Sequence, residues 1–170
     1  PFNGPGGLTV NAGAGAVTVS AAVGSAPAAG AVSLTSTSVI NIGANISGTA
    51  LTFSGPVNLT ANSILTGTNV NFTSTVDGGQ TLTVNGSGVT TFGGMVGNGT
   101  ALASITTNAA GSTAINTTVM RTTGIQTYND NVTLGADPVI TGTAITFAGT
   151  INNGRNLTIN GSGVTTFGGL

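Results

Sequence analysis

The chain has 170 residues, a formal net charge of −1, and only 3% charged residues. Without clustered Lys and Arg it offers no surface for phosphate backbones or anionic lipid, which excludes electrostatic nucleic-acid and membrane binding. It has no His, Cys, Lys or Glu, so most side chains that attack, transfer protons or hold metals are missing; its ionisable groups are Asp77, Asp130, Asp137, Arg121, Arg155 and Tyr128.

Taken in chain order, the first element is Leu8-Thr9-Val10-Asn11, whose alternation of apolar and polar residues predicts a half-buried strand. Val17 and Val19 follow, then Leu34. Phe53, Phe72 and Phe92 come next, at intervals of 19 and 20 in the numbering. Val57, Val76 and Val96 repeat the same 19 and 20 spacing as a second column. In the second half Tyr128, Phe147 and Phe167 are again 19 and 20 apart, with Val132 and Ile151 in the places of Val57 and Val76. The wider interval from Phe92 to Tyr128 leaves room for two short coils, with Ala109 or Ala110 filling the aromatic column between them. Counting backwards puts Leu34, and then Val17 or Val19, in that column. Asn-Gly pairs at 3–4, 85–86, 98–99, 153–154 and 160–161 predict tight corners, because both residues tolerate positive φ.

A longer period encloses this one. LTVNGSGVTTFGG (82–94) returns as LTINGSGVTTFGG (157–169), an offset of 75 in the numbering. The same shift pairs STSVIN (36–41) with GSTAIN (111–116), and Gly7 to Asn11 matches Thr81 to Asn85 at an offset of 74. The chain therefore divides into a partial repeat over 1–21, repeat one over 22–96 and repeat two over 97–170, all in one continuous segment.

Short strands with a period of nearly 19 have one comfortable solution. Successive coils stack in register about 4.8 Å apart, with like residues above one another. The expected fold is an all-β, parallel β-solenoid (β-helix) of about nine coils, four to each 75-residue repeat. Its core ladder is expected to hold Phe53, Phe72, Phe92, Tyr128, Phe147, Phe167, Val57, Val76, Val96, Val132 and Ile151. Helices fail on propensity, since Gly, Thr, Asn, Val and Ser dominate. A barrel or sandwich would need hairpins and would not predict the ladder. Two-sided and three-sided cross-sections both remain open at this point. The longest apolar runs fall short of the roughly 18 residues of a membrane helix.

The run TTGIQTYNDNVTLGADPVITGTAITFAGTI (122–151), followed by LTINGSGVTTFGG, resembles the tandem repeats of giant bacterial surface proteins, the filamentous-haemagglutinin-like and autotransporter-type adhesins. The resemblance covers nearly the whole chain. It implies a right-handed β-helix, secretion to the bacterial cell surface, and service as adhesin, stalk or extracellular fibre. The first repeat has GTALTFSGPVNLTANSILTGT (48–68) where the second has GIQTYNDNVTLGADPVITGT, so the QTYND wording is not needed to make a coil and is assigned no binding role.

No catalytic, cofactor or metal residue is assigned. Under the 75-residue shift Asp77 meets Asn152, Asp137 meets Asn62 and Asp130 meets Gly55, so the acids neither stack nor pair and are expected to be solvated turn residues. Asp130 and Asp137, with Asn129 and Asn131 nearby, would offer oxygens to a weak Ca²⁺ site, but the glycine-rich calcium-roll signature is absent. Arg121 and Arg155 are expected as isolated surface charges. Tyr128 takes a place that Phe fills elsewhere, with its hydroxyl expected at the edge of the core. Flat Thr arrays on solenoids bind ice when Thr-X-Thr recurs at one place in successive coils. Here Thr73-Thr75, Thr81-Thr83 and Thr141-Thr143 fall at different coil positions. Sequons at Asn45, Asn71, Asn98 and Asn131 are those expected by chance in so Asn- and Thr-rich a chain.

The sequence starts at Pro1 without an initiator Met or a leader pattern, so whatever delivers the chain is expected to lie upstream or to have been removed, and neither end reads as an atypical capping repeat. That leads to the expectation of either a window on a longer solenoid or units stacking end to end. The expected function is a shaft or spacer of an extracellular adhesin or fibre, with no enzyme activity and no cofactor. Its partners would be neighbouring repeats or identical subunits. The alternatives are a self-stacking filament subunit, or a module whose lateral face binds glycan or ice.

Overall fold

The structure, a computed structural model, describes residues 2–152 and 154–169. Pro1, Leu170 and the first residue of the Asn153-Gly154 pair lie outside the described residues. Among the described residues there are twenty-two strands of two to six residues and no helix. The strands are short because Gly, Asn and Ser interrupt the β-branched stretches every few residues, and each interruption becomes a corner.

Every turn visits three faces in the same order, and the strands on each face pair in parallel. The first face stacks Leu8–Asn11, Val32–Thr35, Ala50–Ser54, Asn69–Phe72, Val89–Phe92, Ser112–Ile115, Asn131–Leu134 and Ile151–Asn152. The second begins with Val17–Val19, Ile40–Ile42, Val57–Leu59 and Val76–Asp77. It continues through Val96, which bridges to both Val76 and Met120, into Val119–Arg121, Val139–Gly142 and Thr158–Gly161. The third runs from a bridge at Val23 through Ile46–Ser47, Ser63–Gly67, Thr81–Gly86, Ser104–Thr107, Gln126–Tyr128 and Ile145–Phe147 to Thr165–Phe167. The molecule is thus a three-sided parallel β-solenoid. The eight strands of the first face make about eight turns, where nine were expected. The difference comes from long turns. Val10 pairs with Leu34, and Phe92 pairs with Ile115, both wider steps along the chain than the one from Phe53 to Phe72.

Alternation along each strand sends every second side chain into one shared core. Burying a large apolar side chain is worth about 1.5–3 kcal/mol, so this row-on-row core is the main stabilising element. Phe53, Phe72 and Phe92 stack with ring centroids 5.1 and 5.4 Å apart and planes within 14°. Tyr128, Phe147 and Phe167 stack at 5.1 and 5.6 Å.

The two aromatic stacks are not one column. The first lies on the first face, above Leu34 and Val10 and below Ile115 and Leu134. The second lies on the third face, above Thr107, Val84, Leu65 and Ile46. Ala109 and Ala110, expected between the stacks, are exposed at a corner. Val17 and Val19 stack on Ile40 and Ile42 on the second face, away from the aromatic rows. Val57, Val76 and Val96 also stand above one another on the second face, whereas Val132 and Ile151 belong to the first.

The cause is a mismatch between repeat and turn. From Phe53 to Tyr128 the chain takes eleven steps from face to face, three and two-thirds turns instead of four. Each repeat is therefore displaced by one face. The motif at Leu8–Asn11 sits on the first face, its copy at 82–85 on the third, and its copy at 157–160 on the second. All three faces pose the same local problem, a strand with alternate residues buried, so one sequence serves on each.

Corners use glycine where the backbone requires it. Gly97 (φ 68°) and Gly111 (φ 83°) open and close the long turn; a Cβ on Gly97 would overlap the Arg121 carbonyl, and one on Gly111 the Gly88 carbonyl. The Asn85-Gly86 and Asn160-Gly161 pairs differ from expectation. They close strands instead of making corners, because the chain bends just after them, at Ser87 and Ser162.

Candidate functional site

The charged residues other than Asp130 collect on one side, Asp77 half-buried and the rest exposed. Asp77 and Arg121 are in strands of the second face, and Asp137 and Arg155 lie in the segments leading into it. Two of these acids have a structural task. Asp77 Oδ1 accepts hydrogen bonds from the backbone N–H groups of Gly99 and Thr100 at 2.8 and 3.0 Å, and Asp137 Oδ1 accepts one from Asn156 at 3.0 Å. Each donor lies one turn further along the chain. Asparagines do the same. Asn45, Asn62, Asn69 and Asn131 accept from Ile64, Thr81, Val89 and Thr150 at 2.8 to 3.0 Å. These residues clamp each corner to the next where strand hydrogen bonding stops. The matching of Asp137 to Asn62 under the 75-residue shift was the signal: both perform one role, which needs only an oxygen acceptor.

Asp130 is separate. It stands where the third face turns into the first, whereas Asp137 stands where the first turns into the second. Asn131 is engaged by Thr150 through both its N–H and its hydroxyl. The suggested calcium ligands are therefore not brought together. Among the described residues no group of three or more acidic or thiol side chains is placed to hold a metal ion.

Inside the second repeat lies a polar cluster that sequence reasoning missed. Asp130 is 3% exposed. Its carboxylate accepts hydrogen bonds from the Thr107 hydroxyl at 2.8 Å and from the Thr113 hydroxyl at 3.0 and 2.9 Å. Burial pushes its pKa above the ordinary carboxylate range, and the two threonine bonds oppose that rise. The Tyr128 hydroxyl is buried as well, not at an edge, and donates to Gln126 Oε1 at 2.7 Å. Burial and then the nearby Asp130 charge raise the phenol pKa. Gln126 Nε2 donates to the carbonyls of Met120 and Thr141 at 3.2 and 2.9 Å. The counterparts of Gln126, Tyr128 and Asp130 in the first repeat are Leu51, Phe53 and Gly55, so the cluster is particular to one repeat. Nothing in the separate residue types pointed to it; it exists because Thr107, Thr113 and Asp130 come from three different strands or corners. Closed off from solvent, it holds neighbouring turns together.

The lateral surface of the third face is ordered. Thr83, Thr106, Thr127, Thr146 and Thr166 point outward one above another on five successive turns. Two positions before each of these threonines, in the strand or just ahead of it, stand Thr81, Ser104, Ile125, Ala144 and Val164. Ile125 and Val164 are 50% and 72% exposed. No charged residue lies in the strands of this face.

No protein-family model, curated protein or solved structure matches the chain. Among the described residues no helix is long and apolar enough to cross a membrane.

Proposed function

We propose that the chain is a structural shaft or spacer segment of a bacterial cell-surface adhesin or extracellular fibre, acting through length and stiffness and not through catalysis. One observation carries this reading: parallel hydrogen bonding and stacked side-chain rows run through about eight turns on three faces. The corner clamps support it further, since Asp77 and Asp137 are engaged by backbone N–H groups. The bacterial surface location rests on the resemblance of residues 122–151 to adhesin repeats. Axial partners, whether further repeats of one polypeptide or identical copies, belong to the same proposal.

A second reading is a self-stacking filament subunit, supported by the parallel, in-register pairing that joins each turn to the next, a pattern that an identical copy would continue. The denatured mass of the native material separates the two. A polypeptide many times heavier than 16.2 kDa supports the shaft. A 16.2 kDa polypeptide that runs as long particles before denaturation replaces it with the filament subunit.

A further inference from the structure

We propose that the third face is an ice-adsorbing surface, a property the shaft reading does not require. Its central row presents one threonine per turn on five successive turns, Thr83, Thr106, Thr127, Thr146 and Thr166. Parallel strands set that row at steps of about 4.8 Å, close to a lattice repeat of ice and well beyond the distance between hydrogen-bonded waters. Threonine is β-branched, so its methyl and hydroxyl are held in few orientations. The hydroxyl donates one hydrogen bond and accepts two, three of the four that a lattice water makes. The adjoining row, ending in Ile125, Ala144 and Val164, adds methyl groups that order the water over them without competing for its hydrogen bonds.

Charge distribution points the same way. An ionised side chain would hold its own hydration shell and disturb a lattice, and Asp77, Arg121, Asp137 and Arg155 all lie on the second face or at the corner entering it. A sugar-binding face would be expected to offer aromatic platforms or carboxylates, and the outward rows of the third face contain neither. Searching for Thr-X-Thr did not detect this row, because only the first of its turns, Thr81-Thr83, carries threonine in both positions.

The test is ice growth in the presence of the purified chain, read as crystal shaping and as inhibition of recrystallisation. Thr127→Lys and Thr127→Tyr change the third face; Thr52→Lys changes an outward position of the first and serves as control. Circular dichroism and denaturation midpoint establish that each variant is folded. The expected result is faceted crystals with the wild type and with Thr52→Lys, and loss of both effects with the two Thr127 variants. Growth unaffected by the wild-type chain overturns the proposal. So does equal loss in Thr52→Lys, and so does retention on insoluble crystalline polysaccharide without any effect on ice, which would make the face a glycan surface.

Discussion

At the scale of single residues, the corner clamps and the buried carboxylate make opposite demands on charge. A clamp needs an acceptor oxygen and no charge. Asn62→Ala is expected to cost about 1 kcal/mol in chemical denaturation, the ordinary net value of one hydrogen bond, while Asp137→Asn is expected to be nearly neutral. Asp130 behaves differently because it is buried. Its folded-state pKa is raised, so the native state holds its proton more tightly than the unfolded chain. The stability it contributes is therefore full below the ordinary carboxylate pKa of 3.8 and is lost as pH rises through the raised value. Comparing the wild type with Asp130→Asn across that window should show the wild type losing stability relative to the variant as pH increases. A constant difference would mean that Asp130 titrates as an exposed acid. Asp130→Ala leaves the Thr107 and Thr113 hydroxyls without their acceptor and is expected to cost about 1–3 kcal/mol.

At the scale of the strand, burial within the stack decides the cost of a substitution. Phe72 lies between Phe53 and Phe92 and is wholly buried, so Phe72→Ala is expected to cost about 3–5 kcal/mol. Phe167 belongs to the last turn and is 57% exposed, so Phe167→Ala should cost a small fraction of that in the same denaturation experiment. Strand type and coil period were legible in the sequence, because alternation and the regular spacing of Phe53, Phe72 and Phe92 follow directly from stacking. The route between stacks was not. The insertion around Gly97 to Ala103 lengthens the turn that carries Phe92 to Ile115, so the interval from Phe92 to Tyr128 is one long turn and two-thirds of the next, which looks like two short coils when only residue numbers are counted. The internal cluster was hidden for a related reason. Thr107 stands below Tyr128, but that pairing is visible only once the true turn length is known.

At the scale of the whole molecule, the mismatch of repeat and turn has a mechanical consequence. Because each 75-residue unit falls one-third of a turn short of four turns, equivalent segments rotate through the three faces. Features that every repeat carries are thereby spread around the solenoid, while a row such as the threonines of the third face is assembled from segments that are not equivalent in sequence. Charges confined to particular copies, such as Arg121 and Asp137, stay local.

The displacement by one face is the claim on which the rest depends, and a disulfide test addresses it most directly, since the chain has no cysteine of its own. Thr91 and Ala114 are outward neighbours on adjacent turns of the first face, with the spacing of about 4.8 Å between parallel strands that a disulfide can span. The double variant Thr91→Cys/Ala114→Cys is expected to cross-link under mild oxidation, and Thr91→Cys/Ala109→Cys is expected to remain reduced. Cross-linking of the second pair and not the first would mean that four short coils fit each repeat, and would contradict the account.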